Sequence, residues 1–178
     1  MDARTNCEIF TEELVYRPFD SVTCAMVGEF QTAGLVDAER GTNLWVRDML
    51  LDGYDVHVWD DGHDWFGGDD ADEWGRGPAH DTIVNAVNHH GQSQIALVGY
   101  SHGGGAVYNV AWRVNNNFAD TNGNTIIKPF SFVFTGYIDA VSNSNFLNFY
   151  SEDRRPPASN YHLNQYQLLF TSSFTIKH

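Results

Sequence analysis

Short apolar segments recur along the chain with the spacing of β-strands. The runs 22–30 ("VTCAMVGEF") and 94–99 ("QIALVG") are nearly continuous in apolar residues, which is typical of strands buried on both faces of a sheet. Residues 54–59 ("YDVHVW") alternate apolar and polar positions and favour a third strand. The run 129–138 ("PFSFVFTGYI") predicts a fourth strand near the C-terminal part of the chain.

The segments between these strands show the periodicity of helices. Residues 42–53 begin with a suitable N-cap, Thr42, and end at Gly53, which can terminate a helix in the left-handed conformation. Residues 81–91 ("DTIVNAVNHHG") predict a second helix that also closes on a glycine. Residues 102–117 predict a third helix, because apolar side chains follow the i, i+3, i+4, i+7 pattern at Val107, Val110, Ala111 and Val114.

The alternation of strands and helices predicts the fold class. It favours an α/β fold with a mainly parallel sheet and helices on both faces, a three-layer arrangement in one domain covering 1–178. Residues 151–160 ("SEDRRPPASN") combine two prolines with charged and small polar residues, which do not extend a helix or a sheet. This stretch predicts a surface loop, or the start of a loosely attached C-terminal segment over 151–178.

Charge and composition narrow the classes of function. The formal net charge is −13 with ten Lys and Arg among 178 residues, which argues against a nucleic-acid partner. We expect a soluble protein, because the chain has neither a membrane-spanning apolar run nor a signal-peptide pattern at its start. Cytoplasmic and secreted locations both remain open. Cys7 and Cys24 could pair in a disulfide but lack zinc-ligand spacing, and the acidic stretch 59–74 does not match a calcium loop, so no metal is predicted.

The sequence Gly-Tyr-Ser-His-Gly at 99–103 matches the pattern G-x-S-x-G. It lies between a predicted strand and a predicted helix, the context that a nucleophilic serine on a sharp turn requires. Small neighbours let strand and helix pack closely around a strained serine, and the N-terminus of the helix favours an oxyanion. Ser101 is therefore the predicted nucleophile. The alternative is a glycine-rich turn with a serine that has no chemical role.

Asp139 follows the next predicted strand directly. In a parallel sheet, residues just beyond adjacent strand ends share one edge, where ligands bind in open α/β sheets. We therefore expect Asp139 to lie near Ser101 and to act as the acid of a catalytic triad. The alternative is an aspartate that starts a turn or caps a following helix.

These motifs carry a resemblance to a known family. The stretch "LVGYSHGGGAVY" at 97–108 resembles the nucleophile elbow of α/β-hydrolase lipases and esterases. The stretch "FTGYIDAV" at 134–141 resembles the segment in which some lipases carry the catalytic aspartate, and residues 42–59 are similar to the helix and strand before the elbow. The likeness spans about 25–141. It implies a short α/β-hydrolase fold and a cofactor-independent serine hydrolase acting on small-molecule or lipid esters.

The family order of serine, acid and histidine places the base after Asp139. His178 is the first choice for the base and His162 the second, and the third possibility is that a base is absent. If it is absent, the chain is a catalytically incomplete hydrolase-fold protein that binds a ligand. The sequence does not indicate an oligomeric state.

The resemblance also implies where the oxyanion hole lies. One donor is the backbone N–H of His102, directly after the nucleophile. The second should come from the loop after the first strand, at Phe30 or Gln31. Members of the family often have His-Gly in this loop, whereas this chain has Gly28 and Glu29.

Overall fold

The computed structural model describes residues 21–27, 41–60, 75–140, 154–166 and 175–177. Within these residues the chain forms an α/β fold. The strands are β1 (Ser21–Val27), β2 (Asp55–Asp60), β3 (Gln94–Tyr100), β4 (Ser131–Ile138), β5 (His162–Tyr166) and β6 (Thr175–Lys177). The helices are α1 (Gly41–Leu51), α2 (Pro78–His89) and α3 (His102–Asn115).

The described strands form one sheet in the order β2-β1-β3-β4-β5-β6. The first five strands in this order are parallel, and β6 runs antiparallel to β5. The predicted alternation of strand and helix from β1 to β4 is confirmed. Both β5 and β6 lie within 151–178, where the sequence pattern predicts no strand, and β5 pairs directly with β4.

Helix α2 begins earlier than the periodicity indicates. The apolar pattern starts near Asp81, but the helix begins at Pro78, next to Gly77 with φ of 135°. Proline suits the first helical turn, because its missing N–H would have no intrahelical acceptor there. The extra turn buries Ala79 and His80, so it contributes to the core rather than to a loop.

The two faces of β2 pack against different helices. Val56 and Val58 form a small buried cluster with Val46 of α1. Trp59 points to the opposite face, as the period of two in a strand requires, and joins the main core cluster. That cluster is built largely from the apolar faces of α2 and α3 against β3 and β4.

A β-bulge interrupts the pairing of β3 with β4. Ile95 pairs with Phe132, but the next residue, Ala96, pairs with Phe134, so Val133 is one extra residue in β4. An extra residue changes which face the following side chains occupy. Phe132 therefore lies on the same face of the sheet as Thr135 and Tyr137, although it is separated from Thr135 by three residues and not by two. All three side chains are fully buried.

Candidate active site

Ser101 occupies a sharp turn between the last residue of β3 and the first residue of α3. Its backbone has φ of 53° and ψ of −126°. Residues other than glycine rarely adopt positive φ, so this conformation is strained and persists only where the surroundings hold it. The Ser101 N–H donates to the carbonyl of Ile138 at 3.0 Å, and the Ser101 carbonyl accepts from the N–H of Gly104 at 3.0 Å. The half-buried serine is thus fixed to both β4 and α3.

Gly99 permits this turn because strand and helix approach each other closely. A Cβ atom placed on Gly99 would overlap with the carbonyl oxygen of Gly103. The obstacle is backbone, which cannot rotate away as a flexible side chain can. The first and last positions of the G-x-S-x-G pattern are therefore in direct contact in space, as the close packing predicted from the sequence requires.

Asp139 lies at the same edge of the sheet as Ser101. Tyr100 pairs with Ile138, so Ser101 and Asp139 are the residues that follow a matched pair in two adjacent parallel strands. The Asp139 N–H donates to the carbonyl of Gln165 in β5 at 2.7 Å. Asp139 also has positive φ, 48°, so two residues with positive φ stand side by side at this edge. The bulge in β4 sets this alignment, because β4 is one residue longer than β3 and the extra residue, Val133, lies in the bulge.

The structure does not bring His162 to this edge. His162 is the first residue of β5 and pairs with Thr135, which precedes Asp139 by four residues. At a rise of about 3.3 Å per residue, this places it roughly 13 Å back along the sheet. Its ring packs edge-on against Tyr137, with 4.6 Å between the centroids. Burial, followed by the charge of Arg155, lowers the pKa of His162. The position of His162 therefore does not fit the role of base for Ser101.

The hydrogen bonds of His162 give it a structural role instead. The Ser159 hydroxyl donates to the carbonyl of Tyr161 at 2.8 Å. Because that hydroxyl has one proton, it accepts from the Thr135 hydroxyl at 2.8 Å, and Thr135 in turn accepts from Nδ1–H of His162 at 2.8 Å. This chain of bonds ties β5 to β4. No local pattern in the sequence predicts these bonds, because the partners are up to 27 residues apart.

The remaining predicted site residues are placed only in part. His178, Phe30 and Gln31 lie outside the described residues. Strand β6 runs away from the edge that holds Ser101, since its first residue, Thr175, pairs with Tyr166 and its last, Lys177, pairs with Asn164. His102 is the half-buried first residue of α3, so its backbone N–H belongs to the positively polarised N-terminal turn of the helix.

The described part of the chain contains neither a metal-binding cluster nor a membrane-spanning helix. Among its His, Cys, Asp and Glu side chains, no group of three is arranged to hold a metal ion. None of its helices has the length and apolar character needed to cross a membrane. Comparisons with family models, curated proteins and solved structures found no match to this chain.

Proposed function

We propose that the chain is a serine hydrolase that cleaves carboxylic esters, as an esterase or lipase, with Ser101 as the nucleophile. The observation that carries the proposal is the positive φ of Ser101 at the turn from β3 to α3. Backbone strain in a residue other than glycine concentrates at functional sites, where the surrounding structure maintains it. A serine that served only to begin a helix would not need this conformation.

The fold supports the same proposal. Parallel strands with helices packed against both faces of β2 fit a short version of the three-layer α/β-hydrolase architecture. In open parallel sheets, ligands bind beyond the carboxyl ends of the strands, where Ser101 and Asp139 lie.

Each group at this edge has a defined role in the proposed reaction. The Ser101 hydroxyl oxygen attacks the ester carbonyl carbon while a histidine base takes the hydroxyl proton. The negative charge that develops on the carbonyl oxygen is stabilised by the N-terminal turn of α3, including the backbone N–H of His102. The intermediate then collapses to an acyl-enzyme, and the histidine returns the proton to the departing alcohol.

Asp139 and the histidine complete the cycle. Asp139 accepts a hydrogen bond from the imidazolium and holds it in the orientation that faces Ser101. A water molecule, deprotonated by the same histidine, then attacks the acyl-enzyme and releases the acid. The pairing of His162 with Thr135 keeps it away from this edge, which leaves His178 as the candidate base from the order of residues alone. Strand β6, which directly precedes His178, runs away from this edge, and this direction favours the second candidate function.

The second candidate function is ligand binding by a catalytically incomplete hydrolase fold. The location of His162 favours it, since one of the two histidines that could follow Asp139 is used to join β4 and β5. In this case the strained turn would provide a rigid anion or carbonyl pocket, and no ester would be cleaved.

Hydrolysis of p-nitrophenyl butyrate tests the proposal. The parent, Ser101→Ala and a matched control, Ser93→Ala, are compared at equal concentration. Ser93 is exposed and lies just before β3, at the opposite end of the same strand. We expect Ser101→Ala to lose at least about a thousandfold in kcat, since the nucleophile is removed, and Ser93→Ala to match the parent.

Covalent labelling provides an independent measurement. A fluorophosphonate should add to the parent and to Ser93→Ala, with the added mass on the peptide that contains Ser101, and should not add to Ser101→Ala. Equal rates of ester cleavage and no labelling in all three proteins would refute the hydrolase. Calorimetric binding of a non-cleavable ester analogue by such a protein would support the binding function.

A further inference from the structure

The start of α3 packs against the residue that follows Asp139. A Cβ atom placed on Gly104, the third residue of α3, would overlap with the Cβ of Ala140 and lie 3.1 Å from its Cα. The next neighbour of that Cβ, the carbonyl oxygen of Gly99, is at an ordinary 3.8 Å. Gly104 is buried. The space beside it is therefore limited by Ala140.

Residues Asp139 and Ala140 are also held from the opposite side. The Asp139 N–H donates to the carbonyl of Gln165 in β5 at 2.7 Å. Asp139 has φ of 48°, so the backbone turns sharply where it leaves β4. A displacement at Ala140 would therefore strain this hydrogen bond and change the direction of the Asp139 side chain.

A glycine at this position is unfavourable for the helix itself. Glycine is less favourable than alanine in a helix, by up to about 1 kcal/mol in the interior, because it loses more backbone freedom on folding. Helix propensity alone would favour alanine at residue 104. The close approach of Ala140 is the feature that makes glycine the better residue.

We propose that the contact between Gly104 and Ala140 positions the acid of the triad. It sets how closely Asp139 approaches the nucleophile turn, because Ser101 and Gly104 belong to one rigid unit, joined by the hydrogen bond from the Gly104 N–H to the Ser101 carbonyl. This inference rests on the proposed function for its catalytic consequence. Gly104 is thus a positioning residue and does not touch the reacting atoms.

Exchanging the sizes of the two residues tests the contact. The variants are Gly104→Ala, Ala140→Gly and the double variant, in which the methyl group moves from one side of the contact to the other. The matched control is Gly136→Ala in β4, where an added Cβ would meet the aromatic ring of Phe134 at 3.0 Å. The half-buried Phe134 side chain can shift by a few tenths of an ångström, so the control adds the same methyl group against a side chain and not against backbone.

We expect Gly104→Ala to reduce kcat on p-nitrophenyl butyrate by about a hundredfold with little change in KM, the effect of misplacing a catalytic group by about 1 Å. The acidic limb of its pH profile should move to lower pH, because a more distant carboxylate stabilises the imidazolium less and lowers the pKa of the base. The double variant should recover to within about tenfold of the parent. Gly136→Ala should retain the parent kcat and pH profile.

Amide hydrogen exchange at Asp139 separates this inference from the proposed function. Exchange should accelerate in Gly104→Ala and return towards the parent rate in the double variant, whether or not the protein cleaves esters. If exchange responds in this way but no protein is active, the positioning contact stands and the hydrolase proposal fails. Exchange and kcat in Gly104→Ala equal to the parent would overturn the inference. Equal defects in the double variant and in Gly104→Ala would also overturn it, including when both fail to fold.

Discussion

Replacing Ser101 by glycine should give a more stable protein than replacing it by alanine, although both substitutions remove the nucleophile. The backbone of Ser101, with φ of 53° and ψ of −126°, costs about 1–3 kcal/mol for a residue with a Cβ atom. Glycine adopts this conformation without the steric penalty, but its unfolded chain is freer by about 0.4–1 kcal/mol. The difference leaves Ser101→Gly about 1 kcal/mol more stable than Ser101→Ala, because alanine lacks the hydroxyl but keeps the strain.

Thermal unfolding of the two variants measures this difference. For a chain of this length, 1 kcal/mol corresponds to a shift of about 2–4 °C in Tm, so Ser101→Gly should melt higher than Ser101→Ala by that amount. The same pair of substitutions at Ser93, a residue without positive φ, should give the opposite order, since only the unfolded-state entropy differs there. A Ser101→Gly variant that melts at or below Ser101→Ala would show that the turn is not strained.

Three further outcomes follow from packing, burial and hydrogen bonding. Gly99→Ala should lose more than about 3 kcal/mol of unfolding free energy, because its Cβ would overlap with backbone of Gly103; thermal unfolding that matches the parent would contradict this. Burial, followed by the charge of Arg113, lowers the pKa of His80 from 6.5 to about 4. Between these values the unfolded chain binds a proton that the folded chain excludes, so stability is full above pH 6.5 and should fall by about 3 kcal/mol as the pH drops to 4. Urea unfolding at several pH values should show this contribution in the parent and not in His80→Leu; equal slopes would exclude His80 as its source. Thr135→Val should cost about 1–3 kcal/mol in urea unfolding, more than Thr135→Ser, because a hydroxyl bonded to His162 is lost. Equal stability of these two variants would argue against the hydroxyl chain.

The predictable part of the fold is the part encoded by local patterns. Strands β1 to β4 and the helices between them follow from apolar runs and helical periodicity, which reflect how each segment buries its own side chains. The strained serine is predictable for the same reason, since the pattern at 99–103 describes one short turn. Strand β5 was not predictable from its residues, because most side chains in "HLNQY" are polar and show no strand pattern. The segment is a strand only because it pairs with β4.

The candidate site depends more strongly on contacts between distant segments. The sequence places Asp139 after a strand, but its alignment with Ser101 depends on the bulge at Val133, which appears only when β4 pairs with β3. Likewise, the order of residues made His162 a candidate base, whereas its pairing with Thr135 places it well back from the edge.

The sequence by itself determined the order of the elements from β1 to β4, the serine turn and the acidic residue beyond the following strand. These features depend on the steric and hydrophobic properties of neighbouring residues. The tertiary structure decided the register of β4, the use of His162 and the contact between Gly104 and Ala140. Strand register and contacts between a helix and the sheet join residues far apart in the chain, and their geometry is fixed only when the sheet and its helices pack together.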